Sequence, residues 1–409
     1  MWLYNLGISL YAGGIRLAAL WHGKARLWSE GRRNIFERME AAVRPSDRIV
    51  WVHAASLGEF EQARPIIERL RAEHPEYKIL LTFFSPSGYE IRKNYEGADY
   101  VFYLPADTPS NARRFQDIVH PEIAIFIKYE FWINLLSELR RRKVRSYIVS
   151  AIFRRNSVFF RPYGAMWRQA LETFDTLFVQ NVESKRLLSE IGFDNVVVAG
   201  DTRFDRVAQI AAAAQRVETI ERFRGGGRLF VAGSTWGPDE EILLPLVNAN
   251  PDVKFVIAPH EMDEGRIAHL MRNAKGGAVR YTQCDAATRF DDVQVLVLDT
   301  MGMLSSVYGS ATWAYVGGGF GVGIHNTLEA ATFGLPIAFG PNYGKFKEAR
   351  DMVSLGCAVS VRTAGELAAW FAPLCDDEET LRRASRTAKD YTARNQGATG
   401  IILRSIFNS

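Results

Sequence analysis

At 409 residues the chain is too long for one ordinary hydrophobic core and suits two domains of roughly 150–200 residues each. Hydrophobic content of 47% with 23% charged residues excludes a disordered chain. Three cysteines (Cys284, Cys357, Cys375), with no CxxC pair and no histidine cluster, argue against a disulfide framework or a zinc site and fit a reducing compartment. The net charge is +4, and the basic residues Arg16, Lys24, Arg26, Arg32 and Arg33, against Glu30 alone, account for all of it.

The amino terminus, MWLYNLGISLYAGGIRLAALW, is long enough to cross a bilayer, interrupted by Asn5, Ser9 and Arg16. No basic residue precedes the apolar run, so a cleaved secretory signal is not expected. Basic residues follow it, which would keep the rest of the protein cytoplasmic. Trp2, Tyr4, Tyr11 and Trp21 favour an interface, and Arg16 is costly at mid-bilayer. Three placements fit: a span, a helix lying in one leaflet, and an amphipathic helix docked on the protein itself.

From residue 49 onward, β-branched and aromatic runs alternate with helical stretches. Strands are predicted at Ile49–His53, Lys78–Phe83, Tyr100–Leu104, Ile123–Ile127, Ser146–Val149, Thr176–Val179 and Val196–Ala199. A long helix is expected from Phe204 to Phe223, followed by the break Gly225-Gly226-Gly227. The pattern restarts with strands at Leu229–Ala232, Lys254–Ala258, Val293–Leu298, Trp313–Val316 and Pro336–Phe339, and the chain closes with helices at Glu378–Arg394 and Thr399–Phe407. Continuous apolar strands separated by helices imply parallel sheets covered on both faces. The fold class is therefore α/β, two Rossmann-like domains facing each other across a cleft. The expected division is 1–22 as the hydrophobic anchor, 23–200 as the first Rossmann-like domain, 201–395 as the second, and 396–409 as a C-terminal helix packing back on the first.

The stretch Val52–Gln62, VHAASLGEFEQ, carries a strand into a small-residue turn and opens a helix with Glu59 in its first turn. A carboxylate there is stabilised by the helix dipole. The same turn is where doubly wound domains place active sites, and an ionised carboxylate at such a point is a proton acceptor. A second basic region, Arg140 to Arg168, reads either as a solvated face or as a surface for anionic lipid or substrate. No nucleic-acid motif accompanies the charge. The cluster Gly317-Gly318-Gly319-Phe320-Gly321-Val322-Gly323 follows a strand and leads into a helix near Asn326, but no frame of it gives G-x-G-x-x-G, so nicotinamide binding is poorly supported. It permits close backbone approach and offers a helix terminus to an anionic nucleotide. Asn326 and Glu329, three apart, read as a cap or as nucleotide ligands; His325 beside them reads as a phosphate or substrate contact rather than a metal ligand. Asp299–Met303 and Ala258–His260 also follow strand ends, where ligands collect.

Together these motifs resemble the 3-deoxy-D-manno-octulosonic acid (Kdo) transferase family, glycosyltransferase family 30, which adds Kdo from CMP-Kdo to the lipid A precursor in lipopolysaccharide biosynthesis. The match runs through VHAASLGEFEQARP (52–65), KYEFWINLL (128–136), AGDTRFDR (199–206), VAGSTWGPDEE (231–241), DTMGML (299–304) and GIHNTLEAATFGLPIAFGPN (323–342). The resemblance implies a GT-B fold, with an acceptor-binding first domain and a CMP-sugar-binding second. In-line displacement with inversion is expected, without metal or other cofactor because no clustered carboxylates are offered, and the charge after the apolar segment would place the enzyme at the cytoplasmic face of the inner membrane. The resemblance makes Glu59 the catalytic base, with Glu130 and Arg203 supporting the transition state. Its CMP contacts fall on Pro259, His260, Met301, Gly302, Met303, Asn326, Thr327, Leu328 and Glu329. The chain departs from the family pattern in having Pro259-His260-Glu261 where Pro-Arg-His is frequent, Arg203 for a common lysine, and Met303 for a frequent acid. Other sugar-nucleotide enzymes of the fold, a UDP-sugar transferase or 2-epimerase, and a non-catalytic membrane-associated nucleotide-binding protein are the alternatives.

Overall fold

The computed structural model describes residues 1–407. The chain forms two compact units, Met1–Arg206 with the segment from Gln396 onward, and Val207–Asn395.

The first unit is built on seven parallel strands: β1 (Ile49–His53), β2 (Lys78–Phe83), β3 (Tyr100–Tyr103), β4 (Ile123–Ile127), β5 (Arg145–Ala151), β6 (Thr176–Val179) and β7 (Val196–Val198), in the order β3-β2-β1-β4-β5-β6-β7. β1 and β4 are wholly buried, as expected of strands covered on both faces. The chain runs outward from β1 to β3, then returns to the other side of β1 at β4. The β1/β4 junction is therefore a topological switch point, where the loops after the two strands diverge and leave a crevice. The C-terminal helix Ala398–Phe407 packs on this unit, its Phe407 ring stacked 3.9 Å from His74 and its Ile402, Leu403 and Ile406 buried.

The second unit repeats the plan with β8 (Leu229–Thr235), β9 (Lys254–Pro259), β10 (Ala278–Arg280), β11 (Val295–Val297), β12 (Trp313–Val316), β13 (Ile337–Phe339) and β14 (Ala358–Ser360), in the order β10-β11-β9-β8-β12-β13-β14. Its switch point lies between β8 and β12. The two strands the sequence pattern did not mark, β10 and β14, are three-residue edge strands, too short for a periodic signal. The expected helix Phe204–Phe223 is two helices, Thr202–Ala213 and Glu218–Arg224, separated by a non-helical stretch at 214–217.

The amino terminus departs most from expectation. Helix α1 (Trp2–Ala18) has 17 residues, and no helix among the described residues is long and apolar enough to cross a membrane. The spanning reading of the hydrophobic segment is thereby corrected: a span needs about 20 apolar residues, and this helix carries Asn5, Ser9 and Arg16 and ends at Ala18. One side of it is also committed to the first unit. Tyr4 donates its hydroxyl to buried Asp107 at 2.6 Å, and Asn134 donates to Asn5 Oδ1 at 2.9 Å. Asp107 further accepts the N–H groups of Asn134 and Leu135 (3.0 and 2.9 Å), so it caps the helix Ile133–Arg142 from outside. Burial raises the Asp107 carboxyl, and its three donors oppose that shift. The other side of α1 is open, with Trp2, Leu3, Leu6, Leu10 and Leu17 exposed.

Asp107→Ala leaves a hydroxyl and two helix N–H groups without their acceptor. It is expected to cost about 2–4 kcal/mol in urea unfolding of the first unit and to make α1 more readily cut after Arg16 by trypsin; an unchanged midpoint with unchanged cleavage would refute this role.

Candidate active site

In the first unit, Glu59 lies in the first turn of the helix Leu57–Glu73, opened by Ser56 in a capping box: Ser56 N–H donates to Glu59 Oε2 at 3.2 Å while the Ser56 side chain meets the N–H of Glu59. The dipole and cap reading is thus real. It does not exhaust Glu59, because the loop after β4 brings a second carboxylate, Glu130, and the cation Lys128 into its field, and His53 at the end of β1 completes the group. Lys128 turns the chain in the left-handed region (φ 61°). Burial first and then the Glu130 charge push the Glu59 carboxyl above its ordinary 4.5, with His53 and Lys128 opposing. Glu130 is mostly buried (14% side-chain exposure); it accepts from Trp132 Nε1 at 2.8 Å and lies 3.2 Å from His53 Nε2.

Arg203 lies elsewhere in this unit, in the first turn of the helix Thr202–Ala213. It forks onto Asp201, with its Nε and Nη2 at 2.9 and 2.7 Å from Oδ2 and its backbone N–H at 2.9 Å from Oδ1. Asp201 is buried, yet its carboxyl is lowered: the Arg203 charge and hydrogen bonds, with a 2.9 Å bond from Gln62, outweigh burial. The guanidinium is therefore fixed in place on Asp201.

In the second unit the candidate ligands gather at the β8/β12 switch point and at the ends of β9 and β11. Pro259 closes β9; the His260 ring lies 4.9 Å from Trp236 and stacks 4.3 Å from His325. Trp236 Nε1 donates to His325 Nε2 at 3.2 Å, and burial together with His260 lowers the His325 imidazole, which keeps it neutral. Asp239, fully buried, straps the two switch-point loops together: it accepts from Trp236 N–H (2.9 Å), Gly318 N–H (3.0 Å) and Tyr315 hydroxyl (2.7 Å). The glycines serve this approach. A Cβ on Gly317 would stand 2.2 Å from the Ser234 carbonyl oxygen, and Gly318 has φ +89°.

The expected helix near Asn326 is only Leu328–Thr332, five residues, so it carries little dipole and the helix-terminus argument for an anion is withdrawn. Asn326 Oδ1 accepts the Leu328 N–H (3.1 Å) and Nδ2 donates to Glu329 (3.0 Å), so the capping reading of the pair is realised. Glu329 also accepts from Ser305 at 2.7 Å. The Leu328 side chain is in the core, and buried Thr327 Oγ1 has no hydrogen-bond partner. Met301 is exposed, Gly302 turns the loop at φ +85°, and Met303 precedes the helix Leu304–Tyr308. Among the described residues, no group of three His, Cys, Asp or Glu side chains is arranged to hold a metal.

Part of the basic stretch from Arg140 to Arg168 is paired with acids of its own unit. Arg140 pairs with Glu172, Arg141 with Glu138, Arg142 with Asp117 and Arg155 with Glu190, while Arg168 donates to the carbonyls of Phe159 and Arg161. A different basic site lies beside α1. A cavity of about 850 Å³ is lined by Arg16, Arg26, Arg32, Arg33 and Arg114 together with Glu30 and Glu37, the last paired with Arg114. Arg32 stacks 3.9 Å over Trp28 and 4.6 Å over Tyr103 and donates to three backbone carbonyls, and burial without a carboxylate partner pulls it down to about 9. Sequence reasoning missed this site, His53 and Asp239. His53 ends an apolar strand, and Asp239 is one acid among several in WGPDEE.

The family model described as 3-deoxy-D-manno-octulosonic-acid transferase (kdotransferase) matches residues 32–206. Among curated relatives, the 3-deoxy-D-manno-octulosonic acid transferase of Haemophilus influenzae is 25% identical over 88% of this chain and 86% of its own length, and that of Bordetella pertussis is 28% identical over 87% and 86%. The Aquifex aeolicus protein of the same name is 26% identical over 78% and 83%. Among solved structures, a UDP-GlcNAc 2-epimerase from Neisseria meningitidis (TM-score 0.63, 16% identity, 88% of this chain and 100% of that one) and Acinetobacter baumannii MurG (TM-score 0.55, 13% identity, 89% and 100%) share the two-domain α/β fold.

Glu59 is held above its unfolded value, so folding is penalised wherever it is ionised, that is, at pH above its folded pKa; the penalty fades as pH falls toward 4.5. Glu59→Gln is therefore expected to raise the melting temperature at pH 8 and to leave it equal to that of the native chain at pH 4. The same melting temperature for both proteins at pH 8 would contradict the burial and charge assigned to Glu59.

Proposed function

We propose that the chain is a member of the 3-deoxy-D-manno-octulosonic acid (Kdo) transferase family of glycosyltransferases, which its similarities support, and that it moves Kdo from CMP-Kdo onto the lipid A precursor with Glu59 as general base. The observation that carries the reading is the pair of carboxylates at the β1/β4 switch point. Its member Glu59 is driven by burial and by Glu130 toward the range in which a carboxylate both ionises and accepts a proton readily.

The chemistry follows from these groups. Glu59 takes the proton from a primary hydroxyl of the acylated glucosamine disaccharide while that oxygen bonds to the anomeric carbon. The bond from that carbon to the phosphate oxygen breaks, CMP departs with the electron pair, and the configuration inverts. Glu130 sets the basicity of Glu59. Arg203, fixed on Asp201, meets either the departing phosphate or the sugar carboxylate. The second unit supplies the CMP contacts at Pro259, His260, Met301, Gly302, Met303, Asn326, Thr327, Leu328 and Glu329. No step requires a metal.

A phosphorylated, acylated acceptor lives at a membrane, and two features support attachment there, at the cytoplasmic face of the inner membrane. The open side of α1 presents Trp2, Leu3, Leu6, Leu10 and Leu17, apolar residues suited to lying in one leaflet. The arginine-lined cavity beside it suits the phosphates of such a lipid.

Glu59→Gln should retain CMP binding, measured by calorimetry, and lose about 10²–10⁴-fold in Kdo transfer; retention of transfer within threefold would remove Glu59 from the role. Replacing Leu3, Leu6 and Leu10 together by serine should weaken flotation with anionic vesicles while the soluble fold persists. Undiminished flotation would end the α1 attachment reading.

A further inference from the structure

His53 is a residue the mechanism above leaves unused, and its surroundings give it a task. It is fully buried at the last position of β1, paired in register with Thr82 of β2 on one side and Phe126 of β4 on the other. Nδ1 lies 2.9 Å from Thr82 Oγ1 and 3.2 Å from the Thr82 carbonyl. Nε2 lies 3.2 Å from Glu130 Oε2 and 3.2 Å from Trp132 Nε1.

Giving each hydrogen to its shortest contact orders this set. Trp51 Nε1–H donates to Thr82 Oγ1 at 2.8 Å, which leaves the Thr82 hydroxyl hydrogen to donate to His53 Nδ1. Nε2 then carries the hydrogen that faces Glu130, which takes the Trp132 N–H at 2.8 Å in preference to the 3.2 Å contact of that N–H with Nε2. The opposite tautomer would aim a nitrogen lone pair at a carboxylate oxygen 3.2 Å away, two acceptors facing each other.

We propose that His53 is a positioning residue for the transfer reaction: its Nε2–H, fixed by the Thr82 hydroxyl, holds Glu130 in the place from which Glu130 acts on Glu59. His53 reaches no substrate in this account; it acts through Glu130, and the chain Trp51–Thr82–His53–Glu130 carries the rigidity of the sheet interior into the site. The inference rests on the proposed Kdo transfer and adds a residue to it.

The test is a double-mutant cycle with a rescue. His53→Asn keeps an amide near Thr82 but is too short to reach Glu130; His53→Gln can place an amide N–H close to the position of Nε2. With CMP-Kdo and the lipid A precursor, His53→Asn should lose at least about tenfold in kcat with CMP binding intact. His53→Gln should recover to within about threefold of the native enzyme, and His53→Asn with Glu130→Gln should be no slower than Glu130→Gln alone. Equal losses in Asn and Gln variants, losses that multiply with Glu130→Gln, or no loss in His53→Asn would each overturn the proposal. Urea midpoints of the same four proteins give a readout independent of transfer: the effects of His53→Asn and Glu130→Gln should be non-additive, and additivity would overturn the proposal as well. A native enzyme that transfers no Kdo would count against the function, leaving the midpoint cycle to decide the His53–Glu130 link.

Discussion

Two carboxylates, Glu59 and Glu130, share one partly dry space where β1 and β4 diverge, and the cost of keeping both there shapes the first unit. Burial, and then the Glu130 charge, disfavour ionisation of Glu59. The arrangement persists because compensating groups surround it. The Ser56 cap donates to Glu59, Lys128 is turned in through a left-handed residue, and Glu130 is gripped by Trp132 and His53. A site that merely capped a helix would need only the first of these. A carboxylate kept above its ordinary range at a strand end suits a proton acceptor, and a structural carboxylate does not need it.

The second unit meets a related constraint by different means. Its loops after β8 and β12 approach so closely that glycine is required at Gly317, and the buried carboxylate of Asp239 binds them together through Trp236, Gly318 and Tyr315. Burial raises Asp239, and its three donors oppose that shift. This strap fixes the Trp236–His260–His325 stack at the strand ends, a rigid aromatic wall with a neutral imidazole in it. A nucleotide base and phosphate can be met there by preformed surfaces rather than by ordering of a loop.

Much of this was legible in the sequence, for physical reasons that differ by element. Strands such as Ile49–His53 and Ile123–Ile127 are covered on both faces, so their composition is almost wholly apolar and their ends fall where the pattern places them. Glu59 stood out because its turn follows a buried strand, where doubly wound domains place active sites, and its capping role, also legible there, is realised beside it. The rest depends on partners remote in sequence. The docking of α1 is written in Tyr4 and Asn5 but also in Asp107 and Asn134, more than a hundred residues away. Three of the arginines from Arg140 to Arg168 are answered by acids from other elements, Glu172, Asp117 and Glu190, which the local sequence does not reveal. His53 was hidden by its place at the end of an apolar strand, and the length of the helix after Asn326 was not legible because its cap residues look the same whether five residues follow or fifteen.

The family assignment and the carboxylate pair converge on one quantity, the ionisation of Glu59 in the free enzyme. The most direct measurement is the pH dependence of kcat/KM for Kdo transfer, in the native chain and in Glu130→Gln. The account predicts an acid limb with its midpoint above 4.5 that moves downward when the Glu130 charge is removed. A limb at or below 4.5, or one unmoved by Glu130→Gln, would contradict it.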